Sequence, residues 1–286
     1  MHIEVHLAST AQLPPTELFA LGHLGHFPLR YVRSAPMLFK AADAQASTTT
    51  QTAAGAALSQ QAADGTAGGF GTAGWNFEMD GQAYVLSNRH ILRGLETDAE
   101  GVVLLTTGGS SFVADLDSYE ELLGDQGNYW DLAIAQYREP ANALAHFIDD
   151  PSANYPRQIA DDLGSGDSYY KVGANSLRTG GALYGTGREI KCPVLGNGID
   201  YAFEEQLYFE MVSRGGDSGS VVVRSSDDAI VGLLMASIGP SADHAQLLVA
   251  NPLFEYGLSV TDAGSPGQLP KVAMLNGNLP RNPIQL

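Results

Sequence analysis

From about residue 70 onward the chain is a succession of short apolar or alternating runs: AYVLS, VVLLTT, SFVADL, DLAIAQY, ALYGTG, LYFEMV, SVVVRS, AIVGLLMAS and QLLVAN, separated by Gly, Asp and Asn. Runs of this length, rich in β-branched residues and bounded by turn formers, predict strands. Their number and spacing predict a barrel or sandwich and suffice for two small barrels. Upstream the pattern is different. Residues 1–40 carry short apolar pieces broken by Pro14, Pro15, Pro28 and Pro36, and read as an N-terminal extension. Residues 41–69 are almost wholly Ala, Gln, Thr, Ser, Gly and Asp, so they are expected to form a low-complexity linker with too little apolar surface to order itself. Downstream, Asn251-Pro252 has the form of a helix N-cap followed by its first residue and predicts a short helix through about Val260. The tail, residues 263–286, has four prolines and is expected to be irregular. No internal repeat of fixed period is present.

Composition narrows this picture. With 286 residues, 44% hydrophobic, the chain can bury a large core. Its 33 glycines fit a turn-rich, strand-dominated protein. Acidic residues outnumber basic ones 32 to 15, and a net charge of −17 argues against nucleic acid or an anionic membrane as partner. Cys192 is the only cysteine, which precludes an internal disulfide and fits a reducing compartment. No run approaches the roughly 18 apolar residues of a membrane span. The first residues, MHIEVHLASTAQLPP, lack the basic start and apolar run of a secretory signal. The expectation is a soluble, cytoplasmic protein.

The stretch Arg214-Gly-Gly-Asp-Ser-Gly-Ser-Val-Val-Val223 carries the candidate chemistry. A glycine-rich turn feeding a buried strand explains part of it. The rest fits a nucleophile loop, in which glycines let backbone N–H groups converge on one spot faced by the Ser218 hydroxyl. Serine needs a base, and the base needs an orienting group. Of seven histidines, His2, His6, His23 and His26 precede the linker, His146 lies in the acidic stretch ALAHFIDDP, and His244 lies in the polar PSADHAQ. His90 follows the strand-like AYVLS and stands at a strand end. Asp131 opens the apolar run DLAIAQY, where a merely solvating aspartate has no purpose. The order is therefore His90, Asp131, Ser218, with separations of 41 and 87 residues.

In this order the sequence resembles the chymotrypsin/trypsin-like serine peptidase family. Gly216-Asp-Ser-Gly219 is similar to its nucleophile motif, Asp131-Leu-Ala-Ile to its aspartate-led strand, and Gly71-Thr-Ala-Gly74 to the glycine-rich first strand of its amino-terminal barrel. KVGANSLRTGGALYG (171–185) resembles the start of the second barrel in the intracellular bacterial type, itself similar to plant narrow-leaf trypsin-like proteins. The resemblance covers roughly residues 68–262. It implies an all-β fold of two packed six-stranded barrels, at 70–160 and 161–262, with a short C-terminal helix. It further implies peptide-bond hydrolysis through an acyl-enzyme, with His90 as base, Asp131 orienting it and Ser218 as nucleophile. Gly216 and Ser218 would supply the oxyanion hole. Ser237 would back Asp131, and Ser237, Ile238 and Gly239 would pair with the substrate. No cofactor or metal is called for.

The family places its pocket base six residues before the nucleophile, which here is Val212, followed by Ser213. A neutral pocket for small or medium apolar side chains is expected; His244 lining it and favouring an acidic side chain is the alternative. Two departures bear on activity. His90 is preceded by Asn88-Arg89 instead of Ala-Ala, and no Arg/Lys-Ile-Val-Gly-Gly activation sequence is present. An α/β-hydrolase would require Gly-x-Ser-x-Gly and the order Ser, acid, His; position 220 is Ser, and only His244 follows Ser218. The competing reading is a trypsin-like fold serving as a non-catalytic protein-binding module. Intact candidates at all three triad positions favour the peptidase, whose partner would be a protein or peptide substrate.

Overall fold

The computed structural model describes residues 3–8, 18–20, 26–34, 51–61, 67–93, 101–106, 109–124, 127–164, 166–192, 194, 199–238, 245–254 and 256–274. Six runs of chain close the first barrel, built from β1 (Ala57–Gln61), β2 (Ala67–Thr72), β3 (Trp75–Met79), β4 (Gln82–Ser87), β5 (Gly101–Thr106), β6 (Gly109–Tyr119) and β7 (Ala133–Tyr137). β2 and β3 are two halves of one run, bent at Ala73-Gly74. The first half pairs with β1 (Leu58↔Gly71) and the second with β4 (Phe77↔Tyr84). The circuit then continues β4–β7–β6–β5 and returns to β1, all antiparallel. Between β4 and β5 lies a four-residue helix, α1 (Arg89–Leu92).

The second barrel closes in six strands: β8 (Ser168–Gly173), β9 (Leu177–Cys192), β10 (Tyr201–Val212), β11 (Val221–Arg224), β12 (Ala229–Ile238) and β13 (Ala245–Pro252). β9 and β10 form a long hairpin, β8 pairs with both β9 and β11, and β13 joins β10 to β12. Closure removes the open edges that a flat sheet would expose.

Period-two alternation explains where the core sits. In β11, Val222 enters the second barrel with Phe209, Met211 and Leu248, while Val221 and Val223 face the first barrel. In β7, Ala133, Ala135 and Tyr137 fill the first barrel with Leu58, Val85 and Val102, and Ile134 turns outward. The seam between barrels is thus apolar, with Trp75, Phe77, Leu86, Ile134, Val172, Val221, Val223, Ile230 and Leu233 in one cluster. Burying a side chain of this size is worth about 1.5–3 kcal/mol. The seam is what holds two barrels in one register.

Three expectations are corrected. Residues 51–61, placed in a linker, are ordered, and 52–59 are buried: Thr52–Ala54 pairs with Ala143–Phe147, and β1 is a barrel stave between β2 and β5. Small side chains suffice there, because Ala53, Ala54, Ala56, Ala57 and Leu58 sit against neighbours at 4% exposure or less. The expected helix after Asn251 is strand: Asn251-Pro252 ends β13, and Leu258–Asp262 is a strand too. The tail is not wholly irregular, since Lys271–Met274 pairs antiparallel with Leu258–Asp262 and parallel with β3. Residues 258–262, assigned to the second barrel, therefore extend the sheet of the first. In the N-terminal extension, Ile3–Ala8 runs parallel to His26–Ser34, which also pairs with Leu18–Ala20.

Candidate active site

The sequence brings His90 to the seam by ending β4 at Ser87 and starting α1 at once. Asn88 stands at the N-cap position with extended backbone, yet makes no side-chain cap. Its Nδ2 donates instead to the Asp131 carbonyl at 2.7 Å. The Asp131 carboxylate receives the His90 backbone N–H on Oδ1 at 3.0 Å, and Oδ2 makes a short hydrogen bond with His90 Nδ1. The imidazole is 4% exposed and the carboxylate fully buried. A bond at Nδ1 fixes the ring's orientation and leaves Nε2 as the nitrogen that faces other chemistry.

Asp131 belongs to the first barrel but is anchored by the second. Its N–H donates to Asn251 Oδ1 at 3.0 Å, and Asn251 Nδ2 donates to Gln206 Oε1 at 2.6 Å. Gln206 Nε2 donates to the Tyr129 carbonyl at 2.8 Å, and Trp130 Nε1 to the Pro252 carbonyl at 2.8 Å. Asn88, Asp131, Gln206 and Asn251 all show no exposure. The amides of Gln206 and Asn251 are matched within this buried network, which stiffens it, because a lost partner leaves an orphan at low dielectric. Within it, Asn88 Oδ1 is the buried atom that finds no partner among the described residues.

Ser218 reaches the same place from the other barrel. Its carbonyl accepts the Thr72 N–H at 2.8 Å, and Ser87 Oγ donates to the Thr72 carbonyl at 2.7 Å. A side chain on Gly71 would collide with both Ile91 of α1 and the Ser218 carbonyl, so this glycine lies between the His90 helix and the serine loop. Gly216 and Gly219 have φ of +96° and +93°, the left-handed region that glycine occupies without strain. Between them the N–H groups of Asp217, Gly219 and Ser220 donate to Arg214, Leu234 and Asp217 carbonyls, whereas those of Gly216 and Ser218 donate to no protein group among the described residues. The Ser218 hydroxyl donates to the Met235 carbonyl at 3.1 Å.

Asp217 has a different environment. Its carboxylate pairs with the Lys171 ammonium at 2.9 Å, both side chains at 0% exposure. It also accepts the backbone N–H groups of Arg214, Asn175 and Ser176 and the Ser213 hydroxyl. Burial raises the Asp217 pKa, but the Lys171 charge and these donors outweigh it and hold the carboxyl below its ordinary value. Burial depresses the Lys171 pKa, and Asp217 opposes that. Cys192 is no rival nucleophile: burial, with the Asp131 and Asp200 charges, pushes its thiol up to about 12.

The structure joins His90 to Asp131, seats the Gly216–Ser218 loop on Thr72 beside the helix that carries His90, and redistributes the remaining expected residues. Ser213 is buried with its hydroxyl committed to Asp217, because a buried carboxylate needs donors, so it does not present that hydroxyl to a pocket. Val212 is half-buried at the end of β10, its carbonyl held by Thr179 Oγ1. Ser237 makes no hydrogen bond to Asp131; it lies half-buried on β12, paired with Leu248. On β12 it is the Met235 carbonyl that accepts the Ser218 hydroxyl. The Ile238 backbone pairs with Leu247, while Gly239 and His244 lie outside the described residues. Sequence reading did not find Lys171, Asn175, Thr72, Asn88, Gln206 or Asn251. One had a signal: in SYYKVG, Lys171 shares the inward phase with Tyr169, and a lysine in that phase requires a buried counter-charge.

No protein-family profile matches the chain, and no curated protein matches it. Solved structures do. A glutamic acid specific serine protease that uses a histidine triad in substrate binding is 18% identical, with TM-score 0.53, over 71% of this chain and 94% of that one. A Nocardiopsis protease is 13% identical, with TM-score 0.50, over 71% and 93%. Two closed six-stranded barrels packed on an apolar seam, in the arrangement of these proteases, give the chain the chymotrypsin-like fold.

Proposed function

We propose that the chain is a serine endopeptidase. The observation that carries this reading is the buried His90 Nδ1–Asp131 Oδ2 hydrogen bond, set at the seam beside a loop that offers Ser218 and two undirected N–H groups. In the reaction, the Ser218 hydroxyl exchanges its bond to the Met235 carbonyl for one to His90 Nε2. His90 takes the proton as Oγ attacks the peptide carbonyl carbon, and the carbonyl electrons move to oxygen. The tetrahedral oxyanion is held by the N–H groups of Gly216 and Ser218. Collapse breaks the C–N bond, and His90 gives its proton to the leaving amine, leaving an acyl-enzyme that water hydrolyses by the same steps. Asp131 stays ionised and stabilises the imidazolium. Each oxyanion donor is worth about 3–4 kcal/mol in such transition states.

Among the described residues, β12 from Ala236 to Ile238 pairs with β13 alone, since β11 leaves it after Leu233. A substrate in extended form fits that edge as an added strand. The half-buried Val212 and the committed Ser213 favour an uncharged side chain before the cleaved bond. A buried, unpaired ammonium there costs several kcal/mol, against about 1–3 kcal/mol gained by an apolar fit.

A fluorophosphonate probe tests the reading: labelling of the native chain, abolished by Ser218→Ala, is expected. Equal labelling of native and Ser218→Ala chains, or none of either, would favour a non-catalytic binding module. A peptide library cut mainly after Lys or Arg would overturn the pocket assignment.

A further inference from the structure

An oxyanion hole works only if its donors already point at the site before the charge develops. In a trans peptide the N–H points opposite to the preceding C=O, so whatever holds that carbonyl aims the donor. For the Ser218 donor the preceding carbonyl is that of Asp217, and Ser220 holds it from inside the loop through its N–H, at 3.0 Å, and its hydroxyl. For the Gly216 donor the preceding carbonyl is that of Gly215, which no loop group reaches. It accepts a hydrogen bond from Asn175 Nδ2, at 2.8 Å, 40 residues away in the chain. Asn175 lies in the connection between β8 and β9, fixed at its own N–H by Asp217 Oδ1 at 3.1 Å. The following carbonyl, Gly216, is held by Thr72 Oγ1 at 2.8 Å, and Thr72 Oγ1 in turn accepts the Ala174 N–H at 3.0 Å.

We propose that Asn175 is a positioning residue for the oxyanion hole: its amide latches the Gly215–Gly216 peptide so that the Gly216 N–H faces Ser218. The inference rests on the peptidase reading and deepens it. It also has a regulatory consequence. Asn175 is fixed through Asp217, and Asp217 is neutralised by Lys171 from within the same chain, so the donor is set by the fold itself. No newly cut amino-terminus is needed to aim it.

Glycine at 216, with φ of +96°, has no side chain to resist reversal of this peptide, so without the latch the donor turns away for much of the time. Asn175→Ala removes the side-chain amide but keeps the backbone bond to Asp217, and the residue is only half-buried, so the variant is expected to fold. Three readouts are combined on the full chain. With an uncharged peptide anilide, kcat is expected to fall about 10²-fold, the scale of losing one such donor, with KM changed less than threefold. Affinity for a peptidyl boronate, which fills the hole, is expected to fall by a similar factor. Affinity of a reduced-bond peptide, which places no carbonyl or carboxylate in the hole, for a Ser218→Ala background is expected to stay within twofold when Asn175→Ala is added. A purely structural role would weaken all three together, and that result, or a kcat within twofold of native, would overturn the proposal.

Asn175→Gln, which restores an amide donor one methylene further out, is expected to recover part of the loss. No recovery, with Gly215 still bonded to the new amide in its crystal structure, would also count against the latch. A crystal structure of Asn175→Ala decides the matter independently of activity. The Gly215 carbonyl is expected to be reversed or in two orientations. A single native-like peptide would overturn the latch even in a chain that hydrolyses nothing, an outcome that would by itself remove only the peptidase reading.

Discussion

Among the described residues two aspartates are completely buried, and the fold treats them in opposite ways. Asp217, in the second barrel, meets a full ammonium charge from Lys171 plus four hydrogen-bond donors. Asp131, in the first barrel, meets an imidazole and a single backbone N–H at its carboxylate, while Asn88 and Asn251 hold its backbone. A carboxylate that must stabilise a charge appearing on its neighbour has to be oriented without being neutralised beforehand. One that only shapes a loop is best neutralised permanently. The amide clamps on the Asp131 backbone achieve the first; the lysine achieves the second.

This contrast is broken most severely by removing each charge in turn. Asp131→Asn is expected to lower kcat by about 10⁴-fold, equivalent to about 5.5 kcal/mol, as for triads that lose the correct imidazole tautomer. Its thermal midpoint is expected to move little, because an amide fills the same space. If the loss were below tenfold, Asp131 would not be the orienting acid. Asp217→Asn is expected to do the reverse in stability, costing about 3–5 kcal/mol by denaturant unfolding, since Lys171 would be left buried and uncompensated. A cost under 1 kcal/mol would mean that the pair is not sealed from water.

Acid titration sharpens the same point. The folded-state pKa of Asp217 is lowered, so its contribution to stability is complete above the ordinary carboxylate value of 3.8 and is withdrawn as the pH falls below that through the depressed value. Unfolding free energy of the native chain is therefore expected to drop below pH 3.8 more steeply than that of Asp217→Asn. Parallel curves would show that another group dominates acid unfolding.

Next in size is Asn251→Leu, which strands the Asp131 N–H and the Gln206 amide in the seam. About 1–3 kcal/mol of stability is expected to be lost. Activity is expected to fall with it, because the orienting acid loses its anchor to the second barrel. An Asn251→Leu chain of native stability and rate would show that the clamp is idle. The smallest effect belongs to the exposed Arg138–Asp115 pair, with side chains 56% and 50% exposed. Arg138→Ala is expected to leave the denaturant midpoint almost unmoved, with a still smaller shift at higher salt, and a loss comparable to that of Asp217→Asn would undo the distinction drawn between buried and surface charge.

The three triad candidates could be picked out because each carries a local signature. Ser218 sits among glycines that only a sharp turn requires, Asp131 opens an apolar strand, and His90 follows one. The supports were illegible for a physical reason: a buried polar side chain is chosen by a partner that folding brings from far away. Thr72 and Gly216 are 144 residues apart, and Asp131 and Asn251 are 120 apart. Asn251-Pro252 carries a true helix-start signal, which lost to the ladder with β10 and β12 and to the demand of the Asp131 N–H. The Ala-rich run at 51–61 failed a test of hydrophobic mass, yet a barrel stave flanked by two others needs little mass of its own.

The sequence by itself determined the strand-rich class and the alternating faces of its strands, since pleat and turn chemistry act over a few residues. It also settled the order of the triad candidates along the chain. Only the tertiary structure decided that the Met235 carbonyl takes the Ser218 hydroxyl, that Ser213 serves Asp217, and that Lys171 supplies the internal counter-charge. Register and burial are properties of strand pairs. Which backbone carbonyl of β12 meets the Ser218 hydroxyl is set by how the strands pair, and no local run of residues encodes it.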